Sequence, residues 1–152
     1  MSPSKISKRT FLDRVAWVDR MVAQIRALPV SDRAAFMADS RNIWAAESCI
    51  RRALEAIFDI GRHLLAKGFG AGVSEYKAIA EGLKARGVLT EEQADLMKIL
   101  AGYRNRMVHF YHEISIDELY QLCAHQLADI TATRDALRDW VHAHPELVDP
   151  TL

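Results

Sequence analysis

Apolar residues recur along most of the chain at alternating intervals of three and four, the period of an α-helix that buries one face. The first stripe predicts a helix over about 7–28, which Pro29 would end. A short second helix, capped by Ser31, is expected to reach about Ala38. No stretch alternates convincingly enough to predict a β-strand. The first stripe consists of Phe11, Val15, Val18, Val22 and Ile25.

Four further helices follow from similar stripes and from signals at their ends. They are predicted over about 40–67, 74–87, 90 to 107–109, and 115–142, the first of them capped by Ser40 and the second opened by Ser74. The last two should begin with capping boxes, one on Thr90 and one on Ser115, because Gln or Glu follows three residues later. The inward positions of the final helix are Ile116, Leu119, Cys123, Leu127, Ile130, Leu137 and Val141.

Short connections between long amphipathic helices favour antiparallel packing. We therefore expect an all-α fold, an antiparallel helical bundle of about five to six helices. The length of 152 residues fits one domain over 1–152, with its core roughly over 7–142. The terminal segment 145–152 is expected to be loosely held.

Charge and cysteine content narrow the functional classes. Twenty Lys and Arg balance twenty Asp and Glu, which argues against a wholly basic nucleic-acid-binding surface but allows a local basic patch. No apolar run approaches the roughly 20 residues that cross a bilayer, and no signal peptide is evident at the N-terminus. Cys49 and Cys123 lie in helical patterns and are expected to be buried thiols, which indicates the cytoplasm.

Several other features carry little functional signal. The glycine-rich loop 68–72 lacks the spacing of a dinucleotide-binding fingerprint and follows no strand, so it is interpreted as an interhelical turn. His109 and His112 are three residues apart, but no Cys and no HExxH partner lies near them, and neither a metal site nor a cofactor is predicted. Expected packing anchors are Trp17, Trp44 and Trp140, and expected solvated histidines are His63, His125, His142 and His144.

The window between Asp95 and Glu113 differs from the rest of the chain because it carries basic residues and no acidic one. Two explanations stay open for its excess of cations. Cations at a helix C-terminus complement the helix dipole. Alternatively, arginine can clamp a phosphate through two N–H donors and histidine can move a proton near neutral pH, which suits phosphodiester chemistry without a metal. The window has no acidic residue between Asp95 and Glu113, and it contains Lys98, Arg104, Arg106, His109 and His112.

The sequence Arg104-Asn105-x-x-Val108-His109-x-Tyr111 resembles the signature of HEPN domains, and in this extended form that of the HepT branch. The stretches ESCIRRALEAIFDIGRHLLAKG and YRNRMVHFYHEISIDELYQL are also similar to that branch, and the resemblance covers roughly 11–141. It implies an all-α homodimer whose two motifs face each other in a cleft. It further implies a ribonuclease toxin, of a type VII-like system, paired with a minimal nucleotidyltransferase antitoxin. That antitoxin is associated with adenylylation of the motif tyrosine, here Tyr111.

Helix geometry bears on how this motif, residues 104–111, would work. Asn105 and His109 are four residues apart and share a face if the helix continues. Arg104 and His109 are five apart, about 140° around an ideal helix, so one straight helix does not aim both at one atom. Either the helix breaks near Val108 or a dimer brings two motifs together. The resemblance favours the dimer.

On this basis we expect a metal-independent endoribonuclease in which a ribose 2′-hydroxyl attacks the adjacent phosphorus. His109 would move the proton and Arg104 would stabilise the charge on the phosphoryl oxygens, as the two catalytic residues. Asn105, Arg106 and Tyr111 would support the site or bind RNA, and Tyr111 would be adenylylated. The alternative is a non-catalytic HEPN module that binds a nucleotidyltransferase partner or a nucleotide.

Overall fold

The fold is seen in a computed structural model that describes residues 4–108 and 114–152. The all-α class predicted from the sequence is confirmed, with seven α-helices in the described ranges. A turn of π-helix, Leu64–Gly68, extends the third helix, and a short 3-10 turn, Pro145–Leu147, precedes the C-terminal strand. The α-helices are α1 (Lys8–Arg26), α2 (Arg33–Ala38), α3 (Ser40–His63), α4 (Tyr76–Ala85), α5 (Glu91–Met107), α6 (Ile116–His125) and α7 (Leu127–Ala143).

Helix α3 is the centre of the bundle and contacts each of the other six α-helices. The stripe predicted for α1 is buried, and α1 packs along α3. Gly61 permits α4 to approach α3 closely, because a Cβ built there would lie 2.8 Å from Ile79 Cγ2 and 3.1 Å from Leu83 Cδ1. This close contact sets the position of α4 beside α3.

The capping box predicted at Thr90 is confirmed in both directions. The Gln93 N–H donates to the Thr90 hydroxyl at 3.1 Å, and the Thr90 N–H donates to the Gln93 amide oxygen at 2.9 Å. Ser115 also caps its helix, by accepting from the Glu118 N–H at 3.1 Å. The Glu118 carboxylate is bound by an arginine of α5 instead of returning to the cap.

Three other predicted N-caps are wrong by one residue. Ser31, Ser40 and Ser74 were expected to cap α2, α3 and α4, but the neighbouring acidic residues do so. A carboxylate accepts from the first free N–H groups and also interacts favourably with the positive end of the helix dipole. The observed caps are Asp32, Asp39 and Glu75.

The helix predicted over 115–142 is two helices, α6 and α7. Gln126 lies between them with φ −123° and ψ 10°, outside the helical region. Its side-chain oxygen accepts from the Tyr103 hydroxyl at 3.2 Å, a contact with α5 that local sequence does not reveal. Ile116, expected to face inward, is 45% exposed because it lies at the first position of α6.

The two ends of the described chain meet in a short parallel pair. Strand β1 (Ile6–Ser7) pairs with β2 (Val148–Asp149), in the register Ile6 to Val148. The Arg9 N–H donates to the Leu152 carbonyl at 2.9 Å. Segment 145–152 was expected to be loosely held, but it is hydrogen-bonded to the N-terminal segment. Strands of two residues are too short to show an alternating pattern, so none was predicted.

Some side chains predicted from pattern alone lie in different surroundings. Trp44 is 60% exposed and is not a packing anchor of the core. His63 is not solvated; it is half-buried, and its Nε2 accepts from the Ser7 N–H at 3.0 Å. Cys49 and Cys123 are free thiols, as expected, with Cys123 buried and Cys49 partly so. A search of the described helices for a membrane-spanning segment finds no candidate.

Candidate functional site

Helix α5 carries the first part of the 104–111 motif to one end of the bundle. It ends at Met107 and is followed by Val108 as C-cap. Arg104 and Asn105 therefore lie in its last turn, where cations complement the helix dipole. His109 and Tyr111 lie outside the described residues, as does His112.

Arg104 is held by contacts that use none of its N–H donors. Its Cζ lies over the Tyr76 ring, 4.6 Å from the centroid, within the range of a cation–π interaction. Its Nε lies 3.8 Å from Glu55 Oε1, which is an ion pair but too long for a hydrogen bond. No hydrogen bond from Arg104 is found within 4–108 and 114–152. Its side chain is 28% exposed, so the guanidinium keeps donors that solvent or a ligand can use.

Tyr76 forms a platform beneath this guanidinium. It is the first residue of α4, and its ring stacks on Phe58 of α3 with centroids 4.4 Å apart and planes 13° from parallel. A second guanidinium, that of Arg62, lies 5.9 Å from the ring centroid. Burial raises the pKa of the Tyr76 hydroxyl, and the charge of Arg104 acts in the opposite direction. The ring is thus packed on one face and meets cations at another.

Arg106 differs sharply from Arg104. It donates to both carboxylate oxygens of Glu118, at 2.6 Å each. A bidentate pair of this kind is strong and directional, and here it ties the end of α5 to α6. Asn105, between the two arginines, is exposed. The two arginines of the motif are therefore in different states: one is engaged by a carboxylate, and one keeps its donors.

The fold supplies carboxylates to a window that has none of its own. Lys98 pairs with Glu81 of α4. Arg104 pairs with Glu55 of α3, and Arg106 with Glu118 of α6. The positive field expected from the sequence is consequently reduced, because a carboxylate from another helix pairs with each of these three cations. Pairings across helices cannot be found by counting charges along a window.

Sequence reasoning missed the residues that surround Arg104. Tyr76, Glu55, Phe58 and Arg62 were not singled out as functional residues. One signal was available: Glu55 and Arg62 are seven residues apart, which places them on one face of α3. That spacing does not say which neighbouring helix they face. Within the described part of the chain, no three His, Cys, Asp or Glu side chains are grouped as metal ligands would be.

Comparison with known proteins adds family information to this geometry. Solved structures with the same fold include a toxin–antitoxin complex with AMP-PNP, which is 22% identical with a TM-score of 0.74, covering 84% of this chain and 97% of that one. A tri-AMPylated Shewanella oneidensis HEPN toxin in complex with an MNT antitoxin is also 22% identical, with a TM-score of 0.76 and coverage of 86% and 97%. A Bacillus subtilis cytosolic protein of unknown function, YutE, is 18% identical, with a TM-score of 0.72 and coverage of 95% and 96%.

At these identities the structural likeness shows the fold, and the family is shown by sequence. No curated protein matches the chain. The model of the family described as ribonuclease HepT-like matches residues 18–137, a span that includes the whole 104–111 motif. The chain therefore belongs to the ribonuclease HepT-like family.

Proposed function

We propose that the protein is the toxin of a toxin–antitoxin pair and acts as a metal-independent endoribonuclease in the cytoplasm. The observation that carries the proposal is the family match over 18–137, because it includes the motif that begins at Arg104. The free donors of Arg104 add support, since a phosphate-binding arginine needs N–H groups that no other side chain has taken.

The chemistry follows from the residue types of the motif. A ribose 2′-hydroxyl attacks the adjacent phosphorus, and the leaving 5′-oxygen departs, so that one product ends in a 2′,3′-cyclic phosphate. His109 moves a proton as base or acid, since imidazole titrates near neutral pH. Arg104 stabilises the charge that develops on the phosphoryl oxygens. Asn105, exposed beside it, orients the substrate or the histidine.

The two arginines of the motif have separate roles in this proposal. Arg104 binds phosphate directly. Arg106 was predicted to support the site or bind substrate, and its bond to Glu118 favours support. Arg106 could bind RNA through these two nitrogens only if its bidentate pair with Glu118 broke. Breaking a partly exposed pair of this kind costs on the order of 1 kcal/mol. We therefore assign Arg106 to holding the end of α5 against α6.

A homodimer would bring two such motifs into one cleft. Val108 and Ile116 are 53% and 45% exposed on the two sides of segment 109–113. A second copy packed on this end could remove both apolar side chains from water, which favours association. A second copy covering this end would double the arginines in the cleft and give a neutral chain local affinity for RNA. Light scattering at micromolar concentration should find a dimer, and a monomer would contradict this part of the proposal.

The partner proposed is a minimal nucleotidyltransferase that adenylylates Tyr111. A HEPN toxin of the same fold is described as tri-AMPylated and bound to an MNT antitoxin. By sequence, Tyr111 is two residues after His109, so an added adenylyl phosphate would lie near the substrate phosphate. Its charge and bulk would both oppose RNA binding. Mass spectrometry after incubation with ATP and the nucleotidyltransferase should find the adenylyl mass on wild type but not on Tyr111→Phe; equal labelling of both would contradict the assignment.

The central experiment incubates the purified protein with total RNA, with and without EDTA. Wild type should cleave RNA and leave cyclic-phosphate ends in both conditions. His109→Ala and Arg104→Ala should each lose at least 100-fold in rate, about the effect of removing a general acid–base or a transition-state charge partner. Arg41→Ala is the control, because this arginine at the start of α3 pairs with the neighbouring Asp39.

Three results would contradict the nuclease proposal. Strong inhibition by EDTA would indicate a metal mechanism. If His109→Ala or Arg104→Ala cleaves RNA at nearly the wild-type rate, the residue replaced is not catalytic. Intact RNA with wild type, together with retained binding of the nucleotidyltransferase, would instead favour the non-catalytic binding module.

A further inference from the structure

We infer that Tyr76, which lies outside the motif, is a positioning residue for Arg104. The ring of Tyr76, backed by Phe58, holds the guanidinium in place without consuming its donors, so that these donors are ready for the phosphate of RNA. The inference rests on the proposed function for its role in catalysis. The contact itself is a property of the described structure.

The contacts around Arg104 are of a kind that orients a guanidinium and leaves its N–H groups unused. A ring face attracts the cation through its π-electrons, 4.6 Å from the centroid. Glu55 adds Coulomb attraction at 3.8 Å but accepts no hydrogen bond from Arg104; its Oε1 accepts one from Arg51 Nη1 at 3.4 Å. Arg106 shows the opposite arrangement, with both donors in a carboxylate fork. The difference places the phosphate-binding capacity of the motif on Arg104.

The burial of one nitrogen shows that this arrangement is closely packed. Arg104 Nε is buried and has no hydrogen-bond partner within the described residues. An unpaired buried donor is normally unfavourable, and the ring face offsets part of that loss. Without the ring, the guanidinium would be free to close the short gap to Glu55. Arg104 would then resemble Arg106, with its donors bound to a carboxylate.

The platform itself is rigid. Glu75 caps α4 by accepting from the N–H groups of Lys77 and Ala78, at 3.1 and 2.8 Å. This fixes the first turn, which contains Tyr76. Phe58, fully buried in α3, stacks on the ring from below. Groups held in place before the reaction stabilise transition-state charge without reorganisation.

The experiment compares Tyr76→Phe and Tyr76→Leu with wild type. Phenylalanine keeps the ring face, whereas leucine keeps most of the bulk without a π-system. Tyr103→Leu is the matched control: it removes an aromatic residue next to Arg104 in sequence, but one whose hydroxyl bonds to Gln126 instead. We expect kcat for RNA cleavage to fall roughly 5- to 30-fold in Tyr76→Leu, the range that loss of a partly desolvated cation–π contact implies. KM should change less. Tyr76→Phe should retain most of the activity.

Two further readouts separate positioning from general damage to the fold. The Nε–H proton resonance of Arg104, measured by ¹⁵N-correlated NMR, should be shifted by the ring current in wild type and in Tyr76→Phe, and should lose this shift in Tyr76→Leu. In an Arg104→Ala background, Tyr76→Leu should cause little additional loss, because the cation through which it acts has gone.

The outcomes are distinguishable. An inactive wild type that does not bind RNA overturns the proposed function, and with it the catalytic role of Tyr76. An active wild type with an equally active Tyr76→Leu overturns the inference alone. An unchanged Arg104 resonance in Tyr76→Leu overturns the contact itself. A loss in Tyr76→Phe as large as that in Tyr76→Leu would also overturn it, since the ring face is then irrelevant.

Discussion

Replacing Gly61 with alanine tests the close packing that sets α4, and so Tyr76, against α3. An added Cβ would lie 2.8 Å from Ile79 Cγ2, 3.1 Å from Leu83 Cδ1 and 3.3 Å from Met97 Cε. The first distance is shorter than folded proteins tolerate. Since the three atoms come from α4 and α5, relieving the clash requires side chains of both helices to move or α4 to shift outward.

Two effects of opposite sign determine the result. Alanine is favoured over glycine inside a helix by about 1 kcal/mol. Overpacking a dense core costs about 1–3 kcal/mol. Gly61→Ala should therefore lower the free energy of unfolding by about 0–2 kcal/mol, which is the difference between the two. A shift of α4 would also move the platform under Arg104 and reduce RNA cleavage.

Gly102→Ala in α5 is the matched control. Among the described residues, a Cβ there meets no atom within 4 Å, so the gain in helix propensity should dominate, and stability should rise by up to about 1 kcal/mol. Urea unfolding of both variants at one protein concentration measures the difference, which should be about 1–3 kcal/mol. If Gly61→Ala is as stabilising as Gly102→Ala, the close approach of α3 and α4 is wrong.

Three further predictions concern groups away from the site. Burial lowers the pKa of His63, whose neutral ring accepts a hydrogen bond from the Ser7 N–H. As the pH drops, the unfolded chain therefore binds a proton before the folded one, and the free energy of unfolding should fall below about pH 6.5. Denaturant midpoints should show a smaller fall in His63→Gln. Thr90→Ala should lower the free energy of unfolding by about 1 kcal/mol because the N-cap is lost, whereas Thr90→Ser should restore most of it in the same assay. Burial raises the pKa of the Cys123 thiol to about 12; iodoacetamide followed by mass spectrometry should label the partly buried Cys49 first, and equal rates for the two thiols in the folded protein would refute this.

Features encoded by neighbouring residues were predictable from the sequence. The stripe on α1 is buried as expected, and the Thr90 capping box begins α5. Both depend on residues three or four positions apart, whose contacts are set by helix geometry. The resemblance in the 104–111 motif led to the correct family and directed attention to Arg104 at the end of α5.

Features that depend on contacts between distant segments were not predictable. Gln126 interrupts the last predicted helix without a glycine or proline to signal it. The acids that pair with the basic window come from other helices, as Glu55 of α3 does. Tyr76 begins α4, and the cation over its ring comes from α5, a neighbour that local sequence does not identify. Each of these requires knowledge of which helix faces which.

The central position of α3 has a consequence for how the fold opens. Because α3 touches each of the other α-helices in the described chain, no helix can detach without exposing part of its apolar surface to water. The free energy of opening any one helix should therefore approach the free energy of global unfolding. The slowest amide hydrogen exchange should occur in the middle of α3, where Ile57 and Phe58 are fully buried. Phe58 is also the support of the Tyr76 platform. The residues that keep the arginine in place would then belong to the part of the molecule that opens last.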